Sequence, residues 1–234
     1  MAKDFPLVVL GGRHSLRLYC IKIGILIGIL SVLVGDPSVA QGVKPEMKLA
    51  QGILTELNQL RQNPPRYGAQ LTAWQSYYQG RRWQPPGQPT QWTREGVKGL
   101  REAQTWLQQV QPVGVLRSVR GLERVAAGLI PQEITATQLA AALNAQGWWE
   151  GQASFCRSQG LTHPRTILVS WLIDDGQRHR PNRTNLLNPL FRVAGAACVP
   201  RPQMVCVVTL AGGYHAKTAT PKGNPPRPLS PLPR

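Results

Sequence analysis

The segment DDGQRHRPNRTNLLNP, Asp174 to Pro189, gathers two carboxylates, three arginines and a histidine in a chain of which only 16% is charged. Three chemistries are spelled by residue types in or near it. Ser170, His179 and Asp174 supply the types of a hydrolase triad, in which a base takes a hydroxyl proton and a carboxylate orients the base. Ser170, however, sits in a helical run and lacks the Gly-x-Ser-x-Gly turn that exposes such a nucleophile. His163, His179 and His215 have no i, i+4 spacing that would aim two imidazoles from one helix face at a metal. Cys156 stands beside Arg157, whose charge would favour a thiolate, but the segment GWWEGQASFC reads more simply as holding a buried, inert thiol. An envelope hydrolase or metal-dependent enzyme built around Asp174, His179 and Cys156 is therefore the rival reading, to be decided by whether the fold assembles them. Asn182, Arg183 and Thr184 also spell an N-x-T glycosylation sequon.

The elements that must position these residues begin after a targeting segment. Arg13, Arg17 and Lys22 precede the apolar run Ile23 to Gly35, which is shorter than the roughly 18 to 20 residues that span a bilayer. Ser38 and Ala40 then supply a small-residue cleavage site, so residues 1–40 are expected to be a signal peptide, the protein secreted or periplasmic, and membrane attachment to arise only if that segment is retained. Without the first forty residues the 27 basic and 11 acidic residues become 23 and 9, net +14. For an exported protein such a charge fits anionic cell-wall polymer, while the absence of an aromatic RNA-binding box or a finger spacing argues against nucleic acid.

Within the remaining chain, 3.6-residue periodicity predicts helices over MKLAQGILTELNQLRQNP, YGAQLTAWQSYYQG, TREGVKGLREAQTWLQQV with Thr93 as cap, SVRGLERVAAGLI, TATQLAAALNAQG and PRTILVSWLIDDG. GRRWQPPGQPTQW reads as a loop, too broken by proline for regular structure. Trp74 and Trp106 read as core wedges. Asp174 and Asp175 end the sixth helix, where a carboxylate opposes the macrodipole and calls for a partner, most simply a following arginine such as Arg183. FRVAGAAC and MVCVVTLAG are rich in β-branched residues and predict a hairpin. A turn centred on Pro202 sets Cys198 opposite Cys206, predicting a disulfide between them with Cys156 free. Such a short loop pins register more than it adds stability. The segment from residue 216 to 234 is basic and proline-rich, and is expected to be a disordered arm.

Taken in order, ILTELNQLRQNPPRYG, EGVKGLREAQTWLQQVQPVGVLRSVRGLERVAAG, GWWEG, WLIDDG, NRTNLLNPLFRVAGAAC and VCVVTLAGGY resemble the bacterial branch of the CAP superfamily, also called the SCP domain, over about residues 50 to 214. The resemblance implies an α+β fold over residues 41–215, a three-layer α/β/α sandwich around a small antiparallel sheet. It also implies a cleft that in many members carries two histidines and two glutamates able to hold a divalent cation such as zinc. Here the motif positions depart from that pattern. After Ala126 and Ala127 come Gly128, Leu129 and Ile130, with no histidine; the glutamate of the family's GEN motif aligns with Phe155; the second histidine aligns with Asn182, beside the matching Arg183.

The expectation is then a cleft without its metal, no cofactor, and a non-catalytic binding or structural module. Trp148, Trp149 and Phe155 would form an apolar wall, and Asn182, His179 and Arg183 a polar rim suited to a lipid headgroup or a glycan. Asp174, Asp175, Asn185 and Asn188 would hold the loop, the asparagines by bonding loop carbonyls.

Overall fold

In a computed structural model, residues 43–131 and 133–217 are described; the expected signal segment and residues 218–234 of the expected basic arm fall outside them, while Ala216, the first residue assigned to that arm, is the last of the final strand. The chain runs α1 (Pro45–Gln62), α2 (Pro64–Gln70), a 3-10 turn (Thr72–Tyr77), β1 (Tyr78–Gln79), β2 (Arg82–Trp83), β3 (Gln91–Trp92), α3 (Val97–Leu107), β4 (Arg117–Ser118), α4 (Arg120–Leu129), α5 (Ala136–Gln146), β5 (Gly147–Gln159), α6 (Pro164–Ile173), α7 (Pro181–Leu186), β6 (Val193–Arg201) and β7 (Gln203–Ala216). The result is a mixed α/β fold. No helix among the described residues is long and apolar enough to cross a membrane.

The main sheet has the order β4-β6-β7-β5, with β4 parallel to β6 and the other pairs antiparallel. The β6-β7 hairpin forms in the expected register, so Cys198 faces Cys206 and the two are bridged, while Cys156 is free and buried. Alternation along the strands sends side chains to opposite faces. Ala194, Ala196, Cys206, Val208 and Leu210 pack with α1, α3 and α6, whereas Val193, Val205, Val207 and Ala211 pack with α4 and α5. Helices thus cover both faces, which is why β7 is buried continuously from Val205 to Ala211 rather than at alternate residues. At Gly195 the covering is so close that a Cβ would fall 2.2 Å from the Glu123 nitrogen.

Two stretches depart from the sequence reading. The proline-rich loop closes into a small sheet ordered β1-β2-β3, its strands too short to leave a periodic signal. The second predicted helix is divided into α2 and the 3-10 turn before Tyr78 turns into strand.

α1 is tied to the far side of the domain by one side chain. Arg61, fully buried, donates to the carbonyls of Gly114, Leu186, Asn188 and Phe191. It thereby fixes the chain that leaves α7 and enters β6.

Candidate functional site

The segment Asp174–Pro189 is built around the buried carbonyls at the end of α6, which a helix leaves without internal partners. Asp174 takes a left-handed conformation, φ 50°, and breaks the helix. Arg183 then donates from Nε to Leu172 O at 2.5 Å and from Nη2 to Ile173 O at 3.2 Å, and Arg180 Nη1 reaches Asp174 O at 2.8 Å. Two cations therefore sit where the helix dipole is negative. Both arginines also hold Glu102 of α3, Arg180 at 2.6 Å and Arg183 at 2.9 Å, and Arg180 pairs with Glu95 at 2.7 Å. The Arg180 bond, then that of Arg183, holds the Glu102 carboxyl below its ordinary range. The Arg183 guanidinium lies 5.7 Å from the centre of the Trp106 ring, and burial lowers its pKa.

The carboxylates find amides rather than arginines, a correction to the expected pairing of Asp174 or Asp175 with Arg183. Asp174, 4% exposed, accepts from the Asn182 backbone N–H at 2.7 Å and from Asn182 Nδ2 at 2.8 Å. Asp175 accepts from the backbone N–H groups of Arg94 and Glu95 at 2.6 and 3.0 Å, holding the chain that enters α3. Thr93, the expected cap, accepts from the Gly96 N–H and donates to Arg81 O, fastening β3 to the β1-β2 turn. Asn188 bonds the Gln152 side chain and the Leu190 N–H rather than a loop carbonyl, and Asn185 accepts the Asn188 N–H through its own backbone.

These ties shape a shallow cleft of about 270 Å³ whose lining includes Trp83, Trp92, Trp171, Asp175, Gln177 and Asn182. Trp92 stands 80% exposed at its rim. Trp83 is 3% exposed, stacks on Tyr78, and neither its indole N–H nor the Tyr78 hydroxyl finds a partner among the described residues. Burial, and secondarily the charge of Asp175, pushes the Tyr78 hydroxyl up, so it stays a donor.

The residues read from sequence as one site are divided among several places. Asn182 lines this cleft. Arg183 is buried behind it at the end of α6, and His179 is exposed on the loop outside the lining. Trp149 and Phe155 pack on the opposite face of the sheet with α4 and α5, so they form no wall beside Asn182. Trp148 is exposed and stacks on His215 at 3.8 Å, with His215 bonded to Glu150. Trp83 and Trp92 lie in a segment whose prolines mask its two-residue strands; two tryptophans in a polar, proline-rich stretch are the signal the sequence offers for the cleft.

Among the described residues, Ser170, His179 and Asp174 do not come together as a triad. Ser170 donates its hydroxyl to Ile167 O at 2.7 Å, and both Asp174 oxygens are taken by Asn182. Burial pushes the Cys156 thiol up, out of reach of thiolate chemistry at neutral pH. The three aligned metal-ligand positions do not converge either. Leu129, Ile130 and Phe155 belong to the α4 face, Asn182 to the α6 end, and among the described residues no group of three or more His, Cys, Asp or Glu is placed to hold a metal ion. The donor set does not fit zinc.

No protein-family model and no curated protein sequence matches this chain. Among solved structures it is similar to a cysteine-rich secretory protein from Staphylococcus aureus, with 11% identity and a TM-score of 0.45. The match covers 73% of this chain and spans 40% of the length of that one.

Proposed function

We propose that this chain is an exported, non-catalytic CAP-like module of the cell envelope or extracellular space, with the CAP sandwich as its fold, and that the cleft beside Asn182 takes a glycan. The order of sequence motifs supports the family. The observation that carries the ligand is the cleft lining: the exposed Trp92 at its rim shares the cleft with Trp83, whose buried indole N–H has no partner among the described residues, and with the planar polar side chains of Asp175, Gln177 and Asn182. An aromatic face with polar groups at its edge suits a sugar ring, whose faces are apolar and whose edge carries hydroxyls. A lipid chain would offer the buried Trp83 N–H no acceptor.

The test is a tryptophan-fluorescence titration of the exported protein with soluble oligomers of N-acetylglucosamine. Saturable quenching that Trp92→Ala abolishes, and that salt hardly changes, supports the reading. Equal binding by Trp92→Ala sinks it, and binding that weakens steeply with salt transfers the function to the basic surface and an anionic polymer.

A further inference from the structure

β6 is paired along its whole length on the β7 side, but β4 covers only Val193 and Ala194 on the other. There the Arg117 and Val119 amides donate to the carbonyls of Arg192 and Ala194. Backbone groups alternate sides along a strand, so the N–H and C=O of Ala196 and Cys198 face the same way, past the point where the chain leaves β4 for α4. Pro200, next in that alternation, offers no N–H and ends the open edge. The edge is recessed. It lies in a cleft of about 540 Å³ walled by Ala50 and Leu54 of α1 and Ala127 of α4. The charged residues of that lining are Glu46 and Glu123, without one Lys or Arg, in a chain of net charge +16. Such a slot suits an extended backbone that brings hydrogen bonds, apolar side chains and positive charge.

The chain carries a segment of that kind. Residues 218–234, TATPKGNPPRPLSPLPR, contain Lys222, Arg227 and Arg234 and no Asp or Glu. Arg227 and Leu229 keep their N–H groups while Pro226 and Pro228 have none. In extended backbone this turns both donors to one side and leaves proline on the outer edge, where further strand addition is refused. The described chain also ends nearby. A Cβ on Gly121 would fall 3.2 Å from that of Ala216, and one on Gly195 would fall 2.2 Å from the Glu123 nitrogen, so Ala216 and β6 touch the same first turn of α4. From Lys217 to Arg227 the chain spans up to about 35 Å, far more than a helical turn requires.

We infer that the C-terminal segment docks in this cleft as a fifth strand, Arg227 and Leu229 pairing with Ala196 and Cys198 and bringing the Arg227 charge to Glu46 and Glu123. The experiment is residue-resolved amide hydrogen exchange on the full chain and on its Arg227→Pro/Leu229→Pro variant, which alters nothing in the described fold. The Ala196 and Cys198 amides are expected to exchange at least about tenfold faster in the variant, while Ala197 and Val199, turned toward β7, stay unchanged as internal references. Equal exchange in both proteins overturns the inference. Protection in the unaltered chain that disappears on dilution assigns the cleft to a second copy and overturns the intramolecular form.

Discussion

Asn182 closes on both oxygens of Asp174, its backbone N–H 2.7 Å from Oδ2 and its side-chain nitrogen 2.8 Å from Oδ1. The residue standing where the family resemblance places a metal-binding histidine is here a double donor to a buried carboxylate. Asn182→Leu leaves one oxygen of that carboxylate without its partner and should cost about 1–3 kcal/mol. Urea unfolding measures it; a change below about 0.5 kcal/mol, the ordinary range for a surface substitution, would show that Asp174 does not depend on the side chain.

Arg61 meets its charge with four carbonyl dipoles, and burial lowers its pKa to about 10. A guanidinium reaches all four because its donors are spread over a rigid plane, whereas an ammonium offers three from one atom. Arg61→Lys therefore keeps the charge and loses the geometry, with an expected cost of about 3 kcal/mol. Thermal unfolding should show it as a loss of roughly 6–12 °C in Tm. A loss under about 2 °C would mean that the carbonyls are served equally well without the fork.

What was legible in the sequence followed from period. The stripes of α1, α4 and α5 were readable because each buries one recurrent face, the hairpin because its two strands are rich in β-branched residues around a short turn, and the Cys198–Cys206 pairing followed from the hairpin's symmetry. β5 was not readable: its start, GWWEGQ, does not alternate, and its pairing with β7 shifts register between Glu150 and Ala153. The site was half legible. The expected arginine pairing of Asp174 and Asp175 failed, since Asp174, in a left-handed turn, turns its carboxylate to Asn182 and leaves the arginines to the helix carbonyls. Trp92 could not be placed from sequence, because Asp175, some eighty residues on, holds the backbone beside it.

Thiol counting separates the three described cysteines. In the native protein none of these three should react with maleimide, because Cys198 and Cys206 are bridged and Cys156 is buried with its thiol pushed up. Denaturant alone should expose one thiol from these residues, and denaturant with reductant three. Cys20, if retained, adds one to the count in denaturant with reductant, so the same assay reports on removal of the first forty residues. Reaction at Cys156 in the native state would contradict its burial.

Glu102 links acid stability to the cleft. Its folded-state pKa lies below the ordinary 4.5, chiefly through the Arg180 bond and then that of Arg183. Its contribution is therefore complete above about pH 4.5 and is lost as pH falls through the folded value. The Glu102 side chain is 47% exposed, so solvent screening keeps the amount small, and added salt should reduce it further. Urea midpoints followed from about pH 7 down to pH 3 should decline more shallowly in Glu102→Gln than in the unaltered protein. Parallel curves would show that the two arginines hold the carboxylate without stabilising the fold. Because Arg180 also donates to the Asp174 carbonyl, loosening it should reach Asn182, and oligosaccharide affinity should fall over the same acid range in the unaltered protein, less so in the variant.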